Sequence, residues 1–432
     1  VPSVQEFQPF SRATLECPYP FYAAMRREAP VYQAAPNVYF VATYELVNRV
    51  LRDWQTFSSR HRAAFLNFQG EKGLAPPPEN PPIPPALQEL AANAVPPRDT
   101  LLSADPPAHT RFRTLVNRSL SPRRVARLEP MVRDVVSGLI DGFVDRGEVE
   151  FVREFSMLLP LTVVSEALGV PRADIPRFKE WSRQTTTVIA RPVTPEERIE
   201  GLRATFEITQ YLRDQVEAAR RAPGENIIGD LVQAHILAPE AGEDGHEQHR
   251  ALDTPEIVSI INQLLVAGQE TVNYLTASLM LLLIEHPEQM AAVRANRALI
   301  EPMIEEGVRF ESPIQALGRF CTRDTELAGV RIPEGARVVL LYGCANRDEG
   351  QFRAPAAFDV HREDVREHVG FGAGPHYCIG AALARLEMRV AFEELLQRLI
   401  NIRLVDGRND LAHHYNFIFR GLKELHLAFE RA

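Results

Sequence analysis

Apolar side chains recur at helical spacing over most of the chain, and strand-like alternation is confined to short stretches. Residues 18–30 (PYPFYAAMRREAP) read as a short helix set between prolines, and 44–53 as a helix with Leu46, Val47 and Val50 on one face. Further along, the same period predicts helices over 123–146, 156–168, 173–189, 195–221 and 254–285, with Gly169 and Pro171 closing the second. Strands are expected at 38–43, 337–341 and 424–429. The pattern describes a mainly α fold, one domain over 1–432, in which 1–60 and 320–360 supply most of a minor β region.

Two stretches depart from this pattern. Residues 75–97 (APPPENPPIPPALQELAANAVPP) are too rich in proline for an ordinary helix or an inner strand, and composition leaves open a linker or a long ordered loop over a site. The most apolar stretch, 257–284, is long enough to span a bilayer. Asn262, Gln263, Gln269, Glu270 and Asn273 interrupt it where hydrocarbon would penalise them, so a helix buried in protein explains it better.

Composition narrows the partners. A length of 432 residues with 45% hydrophobic side chains is enough for a large core, and the formal charge of −9 makes nucleic acid and acidic membranes poor partners. Cys17, Cys321, Cys344 and Cys378 lie far apart with no CxxC spacing, which argues against a disulfide framework or a zinc site and suits a reducing cytoplasm. No signal peptide is visible at Val1, and a soluble, cytoplasmic protein is expected.

The stretch with the most chemical content is Phe371-Gly372-Ala373-Gly374-Pro375-His376-Tyr377-Cys378-Ile379-Gly380, followed by the helix-forming residues 381–390. Glycines on both sides of the cysteine let backbone approach a flat ligand without Cβ clashes. A thiolate just ahead of a helix start is favoured by the dipole and by free N–H donors, which would also tune a bound iron. Two competing readings exist. A phosphate-cradling loop lacks its Gly-Lys-Ser/Thr ending here, and a buried inert cysteine is the ordinary state of a lone thiol. The complete pattern FGxGxHxCxG resembles the heme-binding loop of the cytochrome P-450 family, with Cys378 as the axial ligand of the iron.

Three further elements, in the order that family has them, extend the resemblance over nearly the whole chain. Ala267-Gly268-Gln269-Glu270-Thr271 is similar to its oxygen-activation motif. Small residues at Ala267 and Gly268 would leave room for a diatomic ligand, Thr271 would donate to it, and Glu270 would relay protons. The plain alternative for Thr271 is a bond back to the Ala267 carbonyl. Glu306-Gly307-Val308-Arg309 matches the family's ExxR motif, and Arg362 is the candidate third member of a structural triad. Asp105-Pro106-Pro107-Ala108-His109-Thr110-Arg111-Phe112-Arg113 resembles the start of a helix on the heme's proximal face. His109 and Arg113, with Arg319 and His376, are then expected to donate to the heme propionates, while Phe371, Gly372 and Gly380 shape the loop beside the ring. Between Asp105 and Glu129 every charged side chain is arginine (Arg111, Arg113, Arg118, Arg123, Arg124, Arg127), a reversal of sign suited to docking an acidic partner or, as plainly, a solvated face.

The resemblance implies a helical bundle around a buried heme b (iron protoporphyrin IX with an axial thiolate), with 62–100 as a proline-rich loop over the pocket. It implies a monooxygenase that takes electrons from NAD(P)H through a reductase and a ferredoxin. One oxygen atom of dioxygen then enters a small hydrophobic substrate, terpenoid or aromatic, by hydroxylation or O-dealkylation. The pocket is expected to include Gln263, Val266, Ala267, Ile314, Leu317, Phe417 and Ile418; Gln263 is either a hydrogen-bond partner for substrate or a core glutamine satisfied by backbone. A peroxide-driven peroxygenase and a heme-based sensor are the alternatives of other kinds, and the Glu270–Thr271 pair argues against the first.

Overall fold

A long helix, Thr254–Glu285, runs through the computed structural model, which describes residues 2–60, 83–187, 193–237 and 249–432. The helix starts where its sequence dictates. The Asp253 carboxylate accepts from the Glu256 N–H at 2.7 Å, the Glu256 carboxylate accepts from the Asp253 N–H at 2.9 Å, and proline occupies the first turn. Gln269, Glu270 and Asn273 are buried with the apolar residues around them. Such burial needs partners, and Asn273 accepts from the Ser156 hydroxyl at 2.8 Å. Helices Leu158–Leu168 and Pro195–Arg221 pack along this central helix, and Ile175–Thr187 packs on the second of them. Among the described residues no helix is long and apolar enough to cross a membrane.

Several expected elements shift in ways the backbone explains. The single helix expected over 123–146 is two, Pro122–Arg127 and Glu129–Asp141, because Pro130 has no N–H and is accommodated only in the first turn of a new helix. The helix expected from 156 begins as the irregular turn Val152–Ser156 before Leu158–Leu168, and Gly169 ends it at φ +92°. The last strand is His426–Arg431, two residues later than expected, between Leu399–Leu404 and Glu148–Glu150. Of the expected loop 62–100, residues 62–82 lie outside the described residues. The remainder is less irregular than its prolines suggest, with helical turns at Pro85–Leu87 and Gln88–Ala92. Pro84 and Pro85 sit where a helix start leaves N–H groups unpaired anyway, and Gln210 donates to the Leu90 carbonyl at 3.1 Å.

The larger sheet has the order Val31–Ala35, Val38–Val41, Arg337–Leu341, Ala316–Cys321, Phe57–Ser58, with only Arg337–Leu341 and Val38–Val41 parallel. Leu317 and Arg319 stand two apart on the strand Ala316–Cys321 and so share one face of this sheet.

Helix Ile300–Glu311 fixes the segment that leads into the cysteine loop. Glu306 accepts two bonds of 2.7 Å from Arg309 and one of 3.0 Å from Arg362. Arg309 also donates to the carbonyls of Asn346, Pro355 and Ala357, and the Glu306 and Arg309 side chains are 0% exposed. Charges so deep are stable only when every hydrogen-bonding position is filled, and here three backbone carbonyls fill the remainder.

Candidate functional site

The cysteine loop is shaped by its own backbone. Cys378 N–H donates to the Phe371 carbonyl at 2.8 Å and Tyr377 N–H to that of Gly374 at 3.1 Å. The reversal requires left-handed backbone at Gly372 and Gly374, and a Cβ on Gly374 would lie 2.6 Å from the Leu51 carbonyl oxygen. Gly380 differs, since no protein atom lies within 4 Å of a Cβ built there. Helix Ala381–Arg398 begins at that point, so the N–H groups of Gly380 and Ala381 face the cysteine sulfur. Burial pushes the Cys378 thiol up; those two donors and the guanidinium groups of Arg113 and Arg385 pull against it.

Arg385 holds the loop from outside, and the sequence reading missed it. Its guanidinium lies 4.4 Å over the Phe371 ring and donates to the Tyr377 hydroxyl at 3.3 Å. Glu305 anchors it with contacts of 2.5 and 3.0 Å and also meets His368 Nε2 at 3.0 Å. Burial alone would raise the Glu305 carboxyl, but hydrogen bonds from His368 and Arg385 hold it at about 2. The available signal was a second acid, Glu305, directly before Glu306.

Four expected residues converge beside the loop. The rings of His109 and His376 lie 4.3 Å apart, and both nitrogens of His109 and Nε2 of His376 are buried without a partner. Arg319 is buried, donates to the Gly318 carbonyl at 2.8 Å and meets the Tyr342 hydroxyl. Arg113 gives one bond to Asn117 at 3.2 Å. Burial first, then the neighbouring arginines, lower the imidazoles, His109 to about 4 and His376 to about 2. An unpaired buried polar atom costs about 1–3 kcal/mol. Three of them between two guanidinium groups fit the carboxylates of a bound anion. Among the described residues no cluster of three or more His, Cys, Asp or Glu could hold a bare metal ion. One sulfur can nevertheless ligate an iron that brings its other ligands in a macrocycle. A flat ring with two carboxylates therefore fits the sulfur, the open side of Gly380 and the imidazole–guanidinium cluster together.

Across the site, burial of the central helix is interrupted at Ala267, which is exposed, with Val266 and Thr271 partly so. Thr271 donates to the Ala267 carbonyl at 3.0 Å, the back-bond left open above, and its oxygen retains lone pairs to accept. Glu270 is buried, approached by the Ser182 hydroxyl at 3.5 Å and hydrogen-bonded with Tyr274. The structure bears on three of the expectations. A Cβ built on Gly268 would point at Val164 of the neighbouring helix, at an ordinary contact distance of 3.5 Å. Gln263 spends both ends of its amide on the chain itself, accepting from Leu102 N–H and donating to Thr100 Oγ1, each at 2.8 Å. Phe417 and Ile418 are buried in the N-terminal cluster, where the Phe417 ring meets Phe7, Phe10 and Phe40, so neither has surface to give a pocket. Ile314 and Leu317 are partly exposed and remain pocket candidates.

Comparison with known proteins agrees with this geometry. The family model described as cytochrome P-450 matches residues 191–399. The chain is 34% identical over 421 residues to the cytochrome P-450 monooxygenase PikC of Streptomyces venezuelae, covering 96% of this chain and 91% of that protein. It is 32% identical over 427 residues to a vitamin D(3) 25-hydroxylase of Pseudonocardia autotrophica, covering 96% and 94%. Among solved structures, cytochrome P-450 CYP109Q5 from Chondromyces apiculatus superposes with a TM-score of 0.81 at 33% identity, over 99% of each chain.

The lowered imidazole gives a pH prediction for the heme-free chain. His109 takes up its proton more readily unfolded than folded, so its contribution is complete above 6.5 and is lost as pH falls from 6.5 toward 4. At pH 5 the loss should be about 2 kcal/mol. Denaturant unfolding of the wild type and His109→Gln across this range checks it. The variant should show the shallower dependence.

Proposed function

The chain belongs to the cytochrome P-450 family and is a monooxygenase whose cofactor is heme b with an axial cysteine thiolate; from that premise we propose that Cys378 supplies the thiolate and that the substrate is a small apolar molecule, hydroxylated or O-dealkylated. One observation carries the site assignment: a cysteine sulfur facing two helix-start N–H groups lies beside the cluster of His109, Arg113, Arg319 and His376, whose imidazole nitrogens want partners. When bound, the heme supplies the centre at which dioxygen is reduced with two electrons and two protons, one oxygen atom entering the substrate and the other leaving as water.

The chain's own residues then have separable tasks. Gly380 and Ala381 donate to the Cys378 sulfur and limit how much charge it passes to the iron. His109, Arg113, Arg319 and His376 would hold the heme carboxylates by charge-assisted or imidazole bonds. Ala267 would keep the exposed face of the helix free of bulk beside the bound group. Thr271, by turning its hydroxyl from the Ala267 carbonyl, presents a proton there, and Glu270 holds the proton that replaces it. Val266, Ile314 and Leu317 leave apolar surface for substrate. A relative named for hydroxylating vitamin D(3), a largely hydrocarbon molecule, supports hydroxylation of an apolar substrate.

Electrons are proposed to come from NAD(P)H through a reductase and an acidic ferredoxin, in a reducing cytoplasm. Arg118, Arg123, Arg124 and Arg127 are exposed, and helix Pro122–Arg127 packs on the helix that follows Cys378. Arg124 is already paired with Asp230, whereas Arg118, Arg123 and Arg127 make no ion pair with another described residue. Charge reversal should therefore discriminate. Arg118→Glu should slow reduction by an acidic ferredoxin about tenfold at low salt and flatten its salt dependence. An unchanged rate in stopped-flow reduction at low salt would reject this docking face.

The proton tasks have their own test. With Thr271→Ala, NADH consumption should continue, because electron delivery does not use the hydroxyl. Product per NADH should fall at least severalfold, with hydrogen peroxide making up the difference. With Glu270→Gln, NADH consumption should fall as well, within the hundred- to ten-thousand-fold range of general acid catalysis, roughly. NADH, product and peroxide measured together decide it, and full coupling in Thr271→Ala would remove Thr271 from the proton path. Running the same assay with peroxide in place of NADH and ferredoxin separates a monooxygenase from a peroxygenase.

A further inference from the structure

Between the central helix and the cysteine loop runs a strap, residues 98–105, that has no regular secondary structure although Thr100, Leu101, Ser103, Ala104 and Asp105 are buried. Buried irregular backbone must find partners outside itself, so those partners reveal what the strap is tied to. At its start, Arg98 N–H donates to the Ser259 hydroxyl at 2.9 Å. One turn along the same helix, Gln263 holds it twice, through Leu102 N–H and Thr100 Oγ1. The backbone donor of Leu102 can meet only the amide oxygen, which fixes the orientation of the glutamine. In the middle, the Leu101 backbone is hydrogen-bonded to the His376 ring. At its end, Asp105 accepts from Ser59 N–H at 2.9 Å and its carbonyl accepts the His109 N–H at 2.9 Å, opening the helix that carries His109 and Arg113.

The strap thus joins the central helix, at Ser259 and Gln263, to the two histidines, reaching the His376 ring through Leu101 and the His109 backbone through Asp105. We infer that it couples the two, with Gln263 as the latch: a positioning residue that, through Leu101 and Asp105, sets where His376 and His109 stand. The inference rests on the reading that those imidazoles hold the heme carboxylates. It also gives Gln263 a role other than that of a substrate contact. Its amide is consumed by the strap, and only its methylene groups remain for the pocket.

Gln263→Leu keeps the size and leaves Leu102 N–H and Thr100 Oγ1 without partners. The experiment uses heme-loaded protein and two readouts, amide hydrogen exchange over 98–105 and the rate of heme transfer to an apomyoglobin acceptor. In Gln263→Leu the Leu102 amide should exchange about ten- to hundredfold faster, the range set by leaving a buried polar atom unpaired. Heme transfer should accelerate by about tenfold, while exchange in the distant sheet of Leu399–Leu404 and His426–Arg431 stays unchanged. Thr100→Val, which spares the Leu102 bond, should give smaller changes in the same direction. Should Gln263→Leu fail to fold, Ser259→Ala, which frees only Arg98 N–H, should move both readouts together. Faster strap exchange with unchanged heme transfer would overturn the coupling, and unchanged exchange at Leu102 would overturn the latch. A wild-type protein that holds no thiolate-ligated heme would instead overturn the cofactor assignment to this site, and that outcome is visible before any variant is made.

Discussion

Burial drives the Cys378 thiol toward its neutral form, while the Gly380 and Ala381 N–H groups and the Arg113 and Arg385 guanidinium groups favour the thiolate. A metal cation at the sulfur settles that balance, because a coordinating thiol gives up its proton. The surrounding structure serves to keep the sulfur still. Its position is set by a short backbone turn, which two left-handed glycines permit and which Arg385 clamps through Phe371 and Tyr377. Arg385 is in turn fixed by Glu305, and the adjacent Glu306 holds Arg309 and Arg362 against the segment leading into the loop. Two neighbouring acids on one helix therefore anchor the two approaches to the cysteine.

Charge around the proposed ring is divided by distance from solvent. Deep in the site the imidazoles are held neutral and two arginines are only partly satisfied, a state suited to accepting carboxylates. Nearer the surface, Arg118, Arg123 and Arg127 make no ion pair with another described residue, whereas Arg124 is neutralised by Asp230. The first set is the one proposed to hold the cofactor and the second the one proposed to meet a protein partner, although Arg113 of the first set belongs in sequence to the same arginine-rich stretch as the second.

The sequence was most legible where a local rule fixes geometry. The central helix and the helix Pro195–Arg221 have the bounds their caps and periodicity predict, since each carries a capping box and an early proline. The cysteine loop, the ExxR pair and the four residues around the carboxylate site could be named because family motifs mark them. What stayed hidden depends on contacts between distant segments. Nothing near Gln263 in the sequence announces that Thr100 and Leu102 will consume its amide. Phe417 and Ile418 read as pocket residues until the N-terminal aromatic residues are seen to cover them. Gly268 shares the oxygen-activation motif with Ala267, yet successive helix positions point about 100° apart. That rotation turns Gly268 toward Val164.

The most direct measurement is the absorption spectrum of the reduced carbon-monoxide complex of Cys378→Ser beside that of the wild type. The wild type should show the red-shifted Soret band of a thiolate-ligated heme, and Cys378→Ser should lose it. Cys17, Cys321 and Cys344 lack the FGxGxHxCxG loop that surrounds Cys378, and Cys321 and Cys344 are buried, so none is expected to replace it. A variant that kept the red-shifted band, or a wild type that never showed it, would contradict the assignment of Cys378 as the axial ligand.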